Sequence, residues 1–106
     1  MDGDIWRRAA GAIAGAAIGD ALGAPFGSLR RDVVPSPVPT FERAWRGHPP
    51  GTGTDATAMA RNLWRSLIAN DGALVLDDVL ARHLAWLSTG PSDVGAQTRL
   101  ALDEAR

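Results

Sequence analysis

Between Pro25 and Gly53 the chain carries Pro35, Pro37, Pro39, Pro49 and Pro50 together with Gly47, Gly51 and Gly53, and no other feature restricts its fold as strongly. Proline removes a backbone donor and its ring clashes with the preceding helical turn, while glycine carries no helical preference, so a long regular helix is excluded here. At most a short turn around Phe41 to Trp45 fits. Residues 25–53 are therefore read as one long Pro/Gly-rich loop that separates an N-terminal helical pattern from a C-terminal one. Connections longer than about 15 residues are uncommon inside compact domains and often border sites as lids or binding loops; disorder is the other reading of this composition.

On either side of the loop the apolar residues follow a helical period. From about Ile5 to Leu22, the residues Ile5, Ala9, Ile13, Ala16 and Asp20 share one face. Gly11, Gly15, Gly19, Gly23 and Gly27 recur every four residues, a flank without side chains that another element can approach closely. Since each glycine costs up to about 1 kcal/mol of helix propensity, tertiary packing is expected to bury this helix. Four-residue glycine spacing also marks paired membrane helices, but Asp20 interrupts the apolar run and Pro25 breaks it, which favours a helix in water. Ala56, Met59, Ala60, Leu63 and Leu67 line a second helix that begins at Thr54 or Asp55 and stops near Asn70-Asp71-Gly72. A third, from Leu76 or Asp77 to Ser88, turns Leu76, Val79, Leu80, His83, Leu84 and Leu87 inward and ends at Gly90-Pro91. Ser92 or Asp93 can cap a fourth, which runs from Val94 through Leu100 and Leu102 and is still in pattern at Arg106. No run alternates long enough to define a strand. The expected fold class is all-α.

At 106 residues the chain has the size of one small domain, and its apolar bulk is mostly Ala with four Trp and two Phe. Such a thin core leads to the expectation that a partner, a complementary chain or a second copy covers part of the surface. The net charge of -1 provides no broad positive field, which argues against nucleic acid and an anionic membrane as partners. No Cys is present, excluding disulfides, thiol catalysis and thiolate metal sites, and two distant His do not form a metal site alone. The acidic start Met1-Asp2-Gly3-Asp4 does not have the form of a secretory signal, giving a cytoplasmic expectation.

Gly51-Thr52-Gly53-Thr54-Asp55-Ala56-Thr57 is the densest chemical constellation. Its glycines permit unusual backbone angles just before hydroxyl and carboxylate groups at a helix start. Thr54 or Asp55 can cap that helix; the same oxygens can also contribute to a hard divalent cation site such as Mg2+, provided further oxygens converge from elsewhere. It is not a phosphate loop, because the chain contains no lysine. Asp20, at the end of an apolar helix, either ties down the following loop or lies near a site. Asp93, with Gly95 and Thr98, either caps a helix or borders a pocket. His83 reads as a helix residue among leucines, and His48 lies in the loop without a nearby triad partner in sequence. Trp64 and Trp86 are assigned to packing, whereas Trp45, Phe26 and Phe41 can wall a pocket. Arg30-Arg31 and Arg43/Arg46 are either solvated or meet phosphate oxygens.

Three blocks together resemble the N-terminal part of the ADP-ribosylglycohydrolase family, which includes the dinitrogenase reductase activating glycohydrolases. Gly11 to Pro25 looks like the family's opening helix and turn. Gly53-Thr54-Asp55-Ala56-Thr57-Ala58-Met59-Ala60 looks like its Thr-Asp-Asp-Thr metal-binding segment. Trp86 to Gly95, with Thr98-Arg99, is similar to a third family segment. The resemblance implies an all-α hydrolase that cleaves the glycosidic bond between ADP-ribose and a modified side chain, with two Mg2+ or Mn2+ ions near the scissile bond. It makes Thr54 and Asp55 metal ligands and Asp55 a catalytic residue. Two departures accompany it: Ala56 stands where the family's second adjacent carboxylate is expected, and Gly27 lies where a Glu often follows the Ala-Pro turn. Residues 1–106 match only the N-terminal portion of such a domain, without its later substrate and Asp-rich metal segments. The expectation is thus a chain related to these hydrolases but inactive alone, the alternatives being an inactive helical assembly module or an ADP-ribose-binding module.

Overall fold

A computed structural model describes residues 2–106. The described chain is all-helical: α1 (Gly3–Gly23), α2 (Asp55–Ala69), α3 (Leu76–Ser88) and α4 (Ala96–Glu104), with short 3-10 turns at Ala24–Phe26 and Arg31–Val33. No strand occurs among the described residues beyond an isolated bridge between Trp45 and His48.

Each helix boundary has a local cause. Asp2 caps α1, its carboxylate accepting from the Asp4 and Ile5 N–H groups at 2.7 and 3.2 Å, which moves the start ahead of Ile5. Past Ala69, Asp71 and Gly72 adopt positive φ angles of 51° and 86°, and the Gly72 N–H donates to the Leu67 carbonyl at 2.8 Å to close α2. Gly90, at φ 72°, ends α3 in the same way. α4 begins at Ala96 after Gly95, later than Val94, because neither Ser92 nor Asp93 caps it.

α2 packs on α1 and α3, and α4 leans on α3. Trp6 meets Trp64 edge to face at 5.4 Å, joining α1 to α2. Leu87 and Leu102 are the most deeply buried apolar side chains, followed by Ala21 and Phe26. The last of these carries the Arg43 guanidinium 5.4 Å above its ring. Between α2 and α3, Asn62 bonds His83 at 3.1 Å. Burial lowers the His83 pKa below its ordinary value, so the neutral ring accepts from the Asn62 amide.

The inward assignment of Leu76 does not hold, since it is 71% exposed; Leu63 on the apolar line of α2 also reaches solvent, and Leu100 of α4 is 61% exposed. The glycine flank of α1 is open as well: a methyl group built on Gly11, Gly15, Gly19 or Gly23 would meet nothing within 4 Å. Residues 10, 13, 14, 17 and 20 face α2, and at about 100° per residue Gly11, Gly15 and Gly19 point to the opposite side. The flank is thus uncovered because α2 takes the other face. The accessible surface is 7036 Å², where a compact monomer of this mass exposes about 5,700 Å², and the radius of gyration is 15.8 Å against about 13 Å. With its 3-10 extension, α1 (Gly3–Phe26) is long and apolar enough to cross a bilayer, at a mean hydropathy of 1.3. Its Asp20, however, is committed to the start of α2.

Loop 25–53 contains no α-helix. Its sharpest reversal lies at 45–48, just beyond the expected turn. Trp45 and His48 exchange backbone hydrogen bonds of 3.1 and 2.8 Å around Arg46 and Gly47, which adopt φ angles of 46° and 80°.

Candidate functional site: the start of α2

The first amides of a helix lack intrahelical acceptors. At α2 they are supplied by three side chains from three parts of the chain. Asp20, near the end of α1, accepts from the Thr54 N–H at 2.7 Å. Asp93, in the α3–α4 connection, accepts from the Asp55 N–H at 2.9 Å. The Thr54 hydroxyl accepts from the Ala56 N–H at 3.2 Å and donates to Asp20 at 2.8 Å. A further donor, the Thr57 hydroxyl, reaches Asp20 at 2.6 Å. Burial opposes the charge on Asp20, but the Thr57 and Thr54 hydrogen bonds outweigh it and hold the carboxyl below its ordinary pKa. Asp20 also lies at the positive end of the α2 dipole, which favours its ionised form.

Gly53 is indispensable to this closeness. A Cβ there would stand 2.8 Å from the Thr57 hydroxyl and 3.2 Å from the Asp20 carboxylate. Asp55 completes a reciprocal arrangement: its backbone is held by Asp93, and its Oδ2 accepts from the Gly95 N–H at 3.1 Å. Its Oδ1 has no protein partner among the described residues. The loop turn at 45–48 closes on the same corner. Arg46 pairs with Asp93 at 3.3 Å, His48 Nε2 lies 2.8 Å from the Ser92 hydroxyl, the Trp45 and His48 rings are 4.7 Å apart, and the Trp45 indole N–H donates to the Thr52 carbonyl at 2.9 Å.

Two concavities flank the start of α2. One, of about 140 Å³, lies among Trp45, His48, Asp55, Trp86, Ser92 and Asp93. The other, of about 480 Å³, is a groove between α1 and α2 walled by alanines, with Trp64 along its wall and Asp20, Ala56 and Thr57 also lining it. An acidic side chain at position 56 would share that groove with Asp20; Ala56 leaves the room but no oxygen.

The structure thus brings together Thr54, Asp55, Asp20 and Asp93 at one corner, and Trp45 and His48 join them, while Phe26 and Phe41 wall neither of the two concavities flanking this corner. Thr54 acts as the α2 cap. Asp20 secures the far end of the loop as well as its start, and Asp93 caps α2 in place of α4. Sequence reading did not assign Thr57 a partner; its place one turn after Thr54 was the available signal, since residues three apart share a helix face. As a cation site the donor set is incomplete. No group of three Asp, Glu or His able to hold a metal ion converges among the described residues. The Thr54 hydroxyl already donates to Asp20 and accepts from Ala56.

The family model for ADP-ribosylglycohydrolase matches residues 1–106. The chain belongs to the ADP-ribosylglycohydrolase family. It is similar to the ADP-ribosyl-[dinitrogen reductase] glycohydrolase of Rhodospirillum rubrum, with 35% identity over 99 residues that make up 90% of this chain and 33% of that protein. The chain therefore spans about a third of the length of the curated relative it matches. No solved structure matches. The helical architecture and the corner at α2 now have a family context: the segment resembling Thr-Asp-Asp-Thr is the capped start of α2, and the segment around Ser92-Asp93 is what caps it.

Proposed function

We propose that this chain contributes the N-terminal portion of an ADP-ribosylglycohydrolase that removes ADP-ribose from a modified protein side chain in the cytoplasm, and that it is inactive alone. The observation that carries the proposal is the α2 corner itself. Asp55 has its main chain fixed by Asp93 and one carboxylate oxygen fixed by Gly95, leaving the other oxygen available. A carboxylate held in this way can orient a water or a ribose hydroxyl and take up a proton as a glycosidic bond breaks. Mg2+ or Mn2+, the ions implied by the resemblance, would take Asp55 and Thr54 as ligands only together with oxygens from outside this chain, and would supply charge stabilisation at the ribose. Ala56 removes one donor that the family pattern places beside them, which supports the view that activity needs a complementary polypeptide.

The test measures ADP-ribose released from ADP-ribosylated dinitrogenase reductase in the presence of Mn2+. The chain alone is expected to release none. Adding the remaining two thirds of the R. rubrum relative is expected to give release that increases with Ala56→Asp and falls at least about 100-fold with Asp55→Asn. No release under any of these conditions, Ala56→Asp included, would contradict the proposal. The excess exposed surface favours a second reading, a helical assembly module. That reading requires a stable oligomer or complex in a size measurement, and a folded, non-associating monomer would remove it. Titration with ADP-ribose, with and without Mn2+, separates assembly from ADP-ribose binding.

A further inference from the structure

On the α2–α3 face lies a cavity of about 350 Å³ whose charged lining comes from both helices: Arg61 and Arg65 from α2, Arg82 from α3. Arg61 and Arg65 are one turn apart, so their like charges repel. Among the described residues neither makes an ion pair. Arg82 holds Asp78 at 2.9 Å, the sole carboxylate paired with this trio. A chain with a net charge of -1 thus gathers a local excess of positive charge in a concave place.

Two further groups give the cavity the form of a binding site. Asn62, 8% exposed, lines it. Its amide lends one hydrogen to the neutral His83 ring at 3.1 Å, and neither its second N–H nor its carbonyl has a protein partner among the described residues. Trp86, half-buried, offers the cavity an indole surface. Guanidinium groups present flat donor forks that match phosphate oxygens, and an indole face accepts a stacked base. The volume lies within the range of small-molecule sites.

We infer that this cavity binds a nucleoside diphosphate, with Arg61, Arg65 and Arg82 on the phosphates, Asn62 donating from the floor and the base against Trp86. A diphosphate carries the charge needed to neutralise the three guanidiniums and relieve the repulsion along α2. The inference is independent of the glycohydrolase reading, since it needs no catalysis, although Trp86 also lines the smaller concavity beside Asp55 and Arg61 also lines the α1–α2 groove.

The experiment titrates the full chain at low ionic strength with inorganic pyrophosphate and separately with ADP, by calorimetry and by NMR of the arginine and indole N–H signals. Saturable one-to-one binding is expected, with ADP about 3- to 10-fold tighter than pyrophosphate through the stacked base. The Arg61→Gln/Arg65→Gln variant is expected to weaken both at least about tenfold. Arg8→Gln/Arg99→Gln, which removes equal charge from exposed residues elsewhere, is expected to leave both unchanged. Circular dichroism checks that each variant is folded, and a Trp86→Phe variant keeps the stacking test open if Trp86→Ala does not fold. The proposal is overturned by any of four results: no saturable binding, equal binding by the Arg61/Arg65 variant, ADP no tighter than pyrophosphate, or a poly-aspartate peptide bound in preference to pyrophosphate.

Discussion

The two sides of α1 meet opposite surroundings. At its C-terminal end Asp20 gathers the Thr54 amide and the Thr54 and Thr57 hydroxyls within 3.0 Å, in a space so close that Gly53 has no room for a methyl group. Along its outer flank Gly11, Gly15 and Gly19 face nothing within 4 Å. The same residue type therefore serves two different ends: at Gly53 the absent side chain is a packing requirement, whereas on the flank it only lowers helix propensity. Spacing alone does not separate these cases; the identity of what stands opposite does.

The largest expected break in that contrast is Asp20→Ala. It leaves the Thr54 N–H and two threonine hydroxyls without their acceptor and loosens the C-terminal end of α1 from the start of α2, at an expected cost of about 2–3 kcal/mol, measured by urea unfolding. Asp20→Asn keeps the shape but replaces one acceptor with a donor, and its loss is expected to be smaller. Gly53→Ala follows at about 1–2 kcal/mol, because the new methyl group must displace the Thr57 hydroxyl. It should also weaken the Asp20–Thr57 hydrogen bond.

Acid sharpens the same comparison. Asp20 has a lowered pKa, so its contribution is complete above the unfolded value of 3.8 and is lost as pH falls through that value to the folded one. His83 is also lowered, by burial. The unfolded chain takes up its proton first, and stability declines as pH falls from about 6.5 towards the folded pKa. Stability measured against pH should show both declines. Asp20→Asn is expected to reduce the lower one, to which Asp78, its pKa also lowered by side-chain hydrogen bonds, contributes as well, and His83→Gln to remove the upper one.

The smallest effect has the opposite sign. Gly15→Ala and Gly19→Ala are each expected to stabilise the chain by about 0.5–1 kcal/mol, because alanine gains helix propensity and meets no neighbour. A destabilisation, or a loss of association, would mean that the flank is covered in solution.

Much of this arrangement is legible in the residues. The Pro/Gly block places the loop, the helical period places four helices, and the Thr54-Asp55 start of α2 follows from ordinary capping rules. The resemblance carried by residues 11–25, 53–60 and 86–95 led to the family that the whole chain matches. What remained hidden was mostly long-range. Asp93 lies next to a helix start in sequence, so a local cap was the natural reading, yet its carboxylate reaches 38 residues back to Asp55. Leu76 and Leu100 fit the helical period but lie at exposed edges, because periodicity marks a face without showing whether anything covers it. The glycine flank failed for the same reason.

The account rests on the start of α2 being held by Asp20, Asp93 and Thr54, and amide hydrogen exchange at Thr54, Asp55 and Ala56 tests this most directly. First-turn amides ordinarily exchange quickly because they lack acceptors. Here all three are expected to be protected to the level of the α2 interior, with Thr54 losing its protection in Asp20→Ala. Exchange of these amides at the rate of an unstructured peptide would contradict the account.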